Sequence, residues 1–208
     1  MSIETKQIDG YKIRIEQDSD PCNPRTEWDN LGTMVCFHRQ YTLGDLKSPK
    51  NKQNGGKYHG MDMEEAQEFE AVARADAKNY VVLSLFLYDH SGITISTNPF
   101  SCPWDSGKVG FIFVSKKTLV EEKIMTADES LTNIKLRMKI VKYLEGEVET
   151  YDKYLRGDVC GYVVESPDGD EVDSCWGYFG EKDAMGDAEA VVKNHLADDK
   201  KTLAMMAY

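Results

Sequence analysis

Tyr80 to Lys116 reads YVVLSLFLYDHSGITISTNPFSCPWDSGKVGFIFVSK and holds the most apolar segments of the chain. Val81 to Leu87 is an apolar run too short for a buried helix and bounded by Asp89 and Gly92, which is the pattern of a central strand covered on both faces. Ile93 to Ser96 alternates in the period of a half-buried strand, with Ser91-Gly92 as the tight turn before it. Gly110 to Ser115, after a Pro-containing connection, supplies a third strand. The expected product is a three-strand meander on which the remaining elements pack.

Upstream, Tyr11 to Glu16 alternates apolar and polar residues and predicts a strand with one face inward. DSDPCNPRTEWDNLG follows, dense in turn formers, and predicts a long loop joining that strand to a neighbouring one at Thr33 to His38. The next stretch, about 44–61, is polar and rich in Gly, Lys and Asn, and predicts a flexible excursion whose centre at 47–57 is a basic island. Met63 to Lys78 has strong helix formers with acidic residues first and basic ones later, as the helix dipole prefers.

Downstream, Lys117 to Leu144 predicts one or two helical pieces with Leu131, Ile134, Leu136, Met138, Val141 and Leu144 on the apolar face. Gly146 is expected to interrupt the helix and Arg156-Gly157 to close it. Asp158 to Glu165 and Glu171 to Phe179 form a hairpin through Ser166-Pro-Asp-Gly-Asp. A last amphipathic helix covers Asp183 to Leu196, and residues 199–208 are expected to fray unless Leu203, Met205 and Met206 dock. Strands and helices come in blocks, so the expected class is α+β: a single domain, residues 1–208, with a mainly antiparallel sheet and helices packed on it.

At 208 residues with 41% hydrophobic and 29% charged residues the chain can build a solid core, and its net charge of −11 disfavours non-specific nucleic-acid binding. No apolar run approaches the roughly 20 residues of a membrane span, and MSIETKQIDG lacks the layout of a secretory signal. Five cysteines without a CxxC pair fit a reducing compartment better than a disulfide framework or a zinc site.

Each tryptophan stands beside a carboxylate and near a glycine: Trp28-Asp29, Trp104-Asp105, and Asp173 with Trp176. If these turns meet at one rim, they make a pocket that stacks a flat ligand and bonds its edge; otherwise they cap the ends of the sheet. Asp89-His90-Ser91 invites comparison with a catalytic triad, but neighbours on a turn point apart, and no G-x-S-x-G surrounds Ser91. His90 with Asp89, Asp105, Asp18 or Asp20 is a second possibility, as ligands of a divalent cation. No P-loop, dinucleotide fingerprint or H-E-x-x-H is present. From Glu145 to Asp199 carboxylates far outnumber Lys and Arg, a pattern that suits either a solvated face or imitation of nucleic-acid phosphates.

WDNLGTMVCFHRQYTLGD, LYDHSGITISTNPFSCPWDSGKVGFIFVSK, GEVETYDKYLRGDVCGYVVE and VDSCWGYFG together resemble an uncharacterised family of bacteriophage- and prophage-encoded proteins. The resemblance implies a viral origin and the bacterial host cytoplasm as workplace, and carries no activity. The expected function is a phage-encoded acidic binding protein that inhibits a host anti-phage defence system by protein binding, nucleic-acid mimicry or nucleotide sequestration. Its partner would be a host protein, such as a nucleic-acid-binding defence protein, or a small nucleotide ligand; direct nucleic-acid or membrane binding is not expected. Trp28, Asp29, Asp89, His90, Trp104, Asp105, Asp173 and Trp176 are the candidate contact residues, with no catalytic residue, metal or cofactor assigned. The alternative is a small metal-dependent hydrolase or nucleic-acid-modifying enzyme built on Asp29, His90 and Asp105.

Overall fold

The computed structural model describes residues 2–45 and 62–206. In chain order the elements are β1 (Ser2–Ile8), β2 (Tyr11–Gln17), α1 (Pro24–Glu27), β3 (Thr33–Cys36), α2 (Met63–Ala75), β4 (Tyr80–Asp89), β5 (Ile93–Ser96), β6 (Ser106–Ser115), α3 (Lys116–Glu121), α4 (Ile134–Arg156), β7 (Cys160–Glu165), β8 (Glu171–Tyr178) and α5 (Glu181–Met206). The class is α+β, and all the pairings between these strands are antiparallel. The strands divide between two four-stranded sheets, β1-β2-β7-β8 and β3-β6-β4-β5, rather than gathering on one. The chain accordingly forms two compact units, Met1–Cys22 with Gly157–Tyr208, and Asn23–Arg156.

In the unit built from Asn23–Arg156, β4 lies between β6 and β5. The apolar run of β4 thus faces core on both sides, as its composition requires. Val81, Leu85 and Leu87 pack with Ile112, Val114 and the α4 residues Ile140, Leu144, Val148 and Tyr151. Val82 turns the other way and joins Phe111, Phe113 and the α2 residues Ala66 and Ala73. The expected meander is corrected in its order: β6 pairs with β4 on the side away from β5, because the 97–105 connection carries the chain back across the sheet. Asp62 caps α2 in a reciprocal box with Glu65.

Gly146 does not interrupt α4. Glu147, Val148 and Tyr151 tie the second half of the helix to the core, which outweighs the roughly 1 kcal/mol that a helical glycine costs. The buried row is Ile140, Leu144, Val148 and Tyr151, whereas Ile134 and Met138, expected inward, are exposed. Gly44 and Asp45, placed by the sequence reading at the start of a flexible excursion, are anchored: Gly44 bridges Val35, and Asp45 accepts from Met34 N at 2.7 Å. The rest of that excursion, 46–61, lies outside the described residues.

In the other unit, β1 and β2 form a hairpin through Asp9-Gly10, both at positive φ, as a two-residue turn of this hand requires. β2 pairs with β7, so it does not neighbour β3, and the loop after it leads out of this sheet. Tyr11, Ile13 and Ile15 of β2 and Cys160, Tyr162 and Val164 of β7 face α5, which meets them with Ala184, Ala188 and Val192. Two alanines one turn apart bring the helix close to the sheet. On the opposite face Lys12 and Arg14 pair with Glu165. α5 continues to Met206 through the stretch expected to fray.

Candidate functional site

The polar groups that organise one end of the β3-β6-β4-β5 sheet start from a single turn of helix. Asn23 caps α1 by accepting from Arg25 N, with Pro24 at the first helical position. This turn directs Arg25 inward, where its side chain is 0% exposed. Its guanidinium donates to both oxygens of Asp45 at 2.6 Å, to Glu147 Oε2 at 2.8 Å and to Gly32 O at 2.7 Å. Burial opposes the charge, but the pairs with Asp45 and Glu147 outweigh it and raise the Arg25 pKa further. Glu147 also accepts from Leu31 N and Gly32 N, so α4 fixes the Trp28–Gly32 loop. Gly32 has no room for a side chain, since a Cβ would lie 2.6 Å from Leu144 Cδ2.

Beside this network lies an open concavity of about 630 Å³ whose lining includes Trp28, Asp29, Asn30, Asp45 and Glu122. Trp28 and Asp29 are exposed. Carboxylates beside an indole face suit a cationic group and repel a phosphate.

Asp89, His90, Trp104 and Asp105 occupy the other end of the same sheet. Thr33 stands opposite Phe113, whereas Ser106 stands opposite Tyr88. The two Trp-Asp turns are therefore separated along β6 by about 23 Å, at about 3.3 Å per residue. Asp89 N donates to Asp105 O, and Asp89 Oδ1 accepts from Tyr41 OH at 3.2 Å. Burial first, then Asp89, pushes the Tyr41 hydroxyl up. His90 Nδ1 is 3.5 Å from Asp105 Oδ2, the same oxygen that Cys102 Sγ approaches at 3.6 Å. Asp89 and His90 thus turn to different partners, as adjacent turn residues must. The side chain of His90 is 63% exposed and Trp104 is 93% exposed.

Asp173 and Trp176 belong to the other unit, on β8. Trp176 covers Gly161, where a Cβ would come 2.4 Å from its ring. Asp173 accepts from Tyr162 OH at 3.1 Å; burial, followed by that bond, pushes the tyrosine up to about 12. Asp173 is thus partly absorbed in the fold. Asp168, Asp170 and Glu171 at the hairpin and Glu181, Asp183 and Asp187 at the start of α5 are exposed. Among the described residues none of these six pairs with a Lys or Arg; Glu171 accepts from Ser174 and Asp187 from Tyr178.

The expected convergence of the three indole turns is corrected for the two that share a unit. Trp28 and Trp104 mark opposite ends of one sheet, and Trp176 lies in a different unit. The metal site built on Asp29, His90 and Asp105 fails for the same reason, since Asp29 stands at the far end from the other two. Asp18 and Asp20, also proposed as ligands, belong to the other unit. Among the described residues no three metal-ligating side chains gather. Sequence reasoning missed Arg25, although Asn23-Pro24 is the signature of a capped helix start. It also missed Glu70 on α2, a 6% exposed carboxylate held by Lys108 at 2.7 Å and Arg74 at 2.7 Å.

Comparison of the chain with protein-family models, curated proteins and solved structures returned no match. Among the described residues no helix is long and apolar enough to cross a membrane.

Proposed function

We propose that the protein is a binding protein that occludes a cationic, nucleic-acid-binding partner, using the carboxylates of the β7–β8 hairpin and the start of α5. The observation that carries this reading is that Asp168, Asp170, Glu171, Glu181, Asp183 and Asp187 are exposed and, among the described residues, have no cationic partner. A Lys- and Arg-rich surface that binds nucleic acid exchanges counterions for phosphates, and uncompensated carboxylates compete for the same cations. A net charge of −11 adds long-range attraction to such a surface. The resemblance to phage and prophage proteins supplies the setting we propose, the cytoplasm of a bacterial host, and the specific role, inhibition of an anti-phage defence protein. Nucleotide sequestration is the weaker version, because the Trp28 and Trp104 turns stand at opposite ends of one sheet and the Trp28 concavity is lined by carboxylates.

The test is affinity capture from bacterial lysate with the full chain and with a variant carrying Asp168→Lys, Asp170→Lys, Glu171→Lys and Asp183→Lys. The expected result is a protein retained by the natural chain, displaced by duplex DNA and lost with the variant. Equal retention by both chains, or indifference to duplex DNA, overturns the reading.

A further inference from the structure

α4 does two jobs. One face, Ile140, Leu144, Val148 and Tyr151, is core. About a quarter-turn round the helix, Ile134, Met138 and Val141 follow one another at i, i+4 and i+7. Ile134 is 74% exposed and Met138 58% exposed, whereas Val141 is half-buried and packs in part against the core. A shallow groove of about 370 Å³ runs along this row, lined by Ile134, Arg137, Met138, Val141, Lys142 and Glu145, all from α4 itself.

The flanks of the row are cationic. Between Ile134 and Lys142 stand Lys135, Arg137, Lys139 and Lys142, with no carboxylate, in a chain whose net charge is −11. Arg137 donates to the carbonyls of Ala77 and Tyr80, and Lys139 lies over the Tyr143 ring. Among the described residues none of Lys135, Lys139 and Lys142 has a carboxylate in ion-pair range. In heptad terms Ile134, Met138 and Val141 take the d, a and d positions, Lys135 and Lys142 the e positions and Arg137 a g position, and Glu145 at the next a position ends the apolar row. That is the layout of a seam with charged edges that select a partner helix.

We propose that this face of α4 docks an acidic amphipathic helix of another protein, which buries apolar side chains on Ile134, Met138 and Val141 and sets carboxylates against Lys135, Arg137 and Lys142. Charge complementarity singles out this occupant. A second copy of α4, parallel or antiparallel, would set cation against cation at the e and g positions. The chain's own residues 46–61 carry Lys47, Lys50, Lys52 and Lys57 and no carboxylate, so they do not complement the face either. Nucleic acid would meet the cations but leave the apolar row without a contact. This surface belongs to a different unit from the carboxylates of β8 and α5, and the proposal stands independently of the function proposed above.

The test uses two fluorescein-labelled, helix-stapled 21-residue peptides, both with Leu at a and d, one with Glu and one with Lys at e and g, titrated with the full chain and read by anisotropy. The natural chain is expected to bind the Glu peptide saturably and at least tenfold more tightly than the Lys peptide. Ile134→Asp with Met138→Asp abolishes that binding with an unchanged thermal melt, because both side chains are exposed. Lys135→Glu with Lys142→Glu moves the preference toward the Lys peptide. No saturable binding of the Glu peptide, equal binding of both peptides, or retention by the Ile134/Met138 variant overturns the proposal. So does a dimer in sedimentation velocity that Ile134→Asp dissolves, which would make a second copy the occupant.

Discussion

Replacing Arg25 by methionine keeps the aliphatic stem and removes the buried charge that holds the Trp28–Gly32 loop to Asp45 and α4. The natural guanidinium is fully buried and makes two bonds to Asp45, one to Glu147 and one to Gly32 O. Its loss leaves two carboxylates, 24% and 17% exposed, facing each other across an apolar side chain. Removing one partner from such a buried arrangement costs about 3–5 kcal/mol, mostly because the remaining charge is stranded. With a urea slope of about 2 kcal/mol per molar, the midpoint falls by about 2 M. The assay is urea unfolding followed by far-UV circular dichroism and by tryptophan emission, since Trp28 lies on the loop that this network holds. The triple variant Arg25→Met, Asp45→Asn, Glu147→Gln separates the stranded charge from simple loss of packing. Its amide oxygens still accept from Met34 N, Leu31 N and Gly32 N, and no charge remains buried. At least half of the lost stability should return. A cost below about 1 kcal/mol for Arg25→Met, or no recovery in the triple variant, refutes the reasoning.

Three further outcomes follow from the packing. Gly110→Ala should prevent β3 from pairing with β6, because a Cβ there would sit 1.9 Å from Val35 O; the expected result is loss of the cooperative transition in thermal unfolding. Burial pushes both the Cys36 thiol and the Tyr151 hydroxyl up to about 12. In the unfolded chain Cys loses its proton near 8.5 and Tyr near 10, so between those values and about 12 the folded protein holds more protons and stability falls as pH rises, by about 1.4 kcal/mol per pH unit for each group. Cys36→Ala should reduce that slope between pH 9 and 11 in urea titrations, and an unchanged slope would contradict the assignment. Cys22 and Cys175 are exposed whereas Cys36 and Cys160 are buried, so a thiol reagent at pH 8 should label the first pair at once and the second only on unfolding.

What the sequence disclosed was local, and what it concealed was long-range. The two-sided burial of β4, the helix over α2 and the Ser166–Asp170 hairpin turn are written in runs of a few residues, and each appears in the structure. The Asp9-Gly10 turn was equally legible, and with it β1, once the turn is given weight over the short strand before it. The division into two sheets was not, because it depends on β2 pairing with β7, from Lys12 opposite Glu165 to Gln17 opposite Cys160, and no local pattern encodes a partner so distant in the chain. The same holds for the candidate site. A Trp-Asp-Gly texture specifies a turn and says nothing of which end of a strand the turn occupies, so the Trp28 and Trp104 stretches stand at opposite ends of one sheet. Arg25 looked like a loop cation because the two carboxylates that make its burial possible, Asp45 and Glu147, come from elsewhere in the chain. The apolar face expected before and along α4 holds for Leu131, Leu136, Val141 and Leu144, which pack on the core, and departs at Ile134 and Met138, which lie about a quarter-turn away from the buried row.

The central claim is that the exposed carboxylates of the β7–β8 hairpin and the start of α5, which have no cationic partner among the described residues, compete with nucleic acid for a partner's cations. The most direct measurement is the displacement of labelled duplex DNA from the captured partner by the natural chain and by the Asp168/Asp170/Glu171/Asp183 charge-reversed variant, across a range of salt. The account predicts displacement by the natural chain that weakens steadily with the logarithm of salt concentration and is absent from the variant. Displacement of equal strength by both chains, or a displacement insensitive to salt, would contradict it.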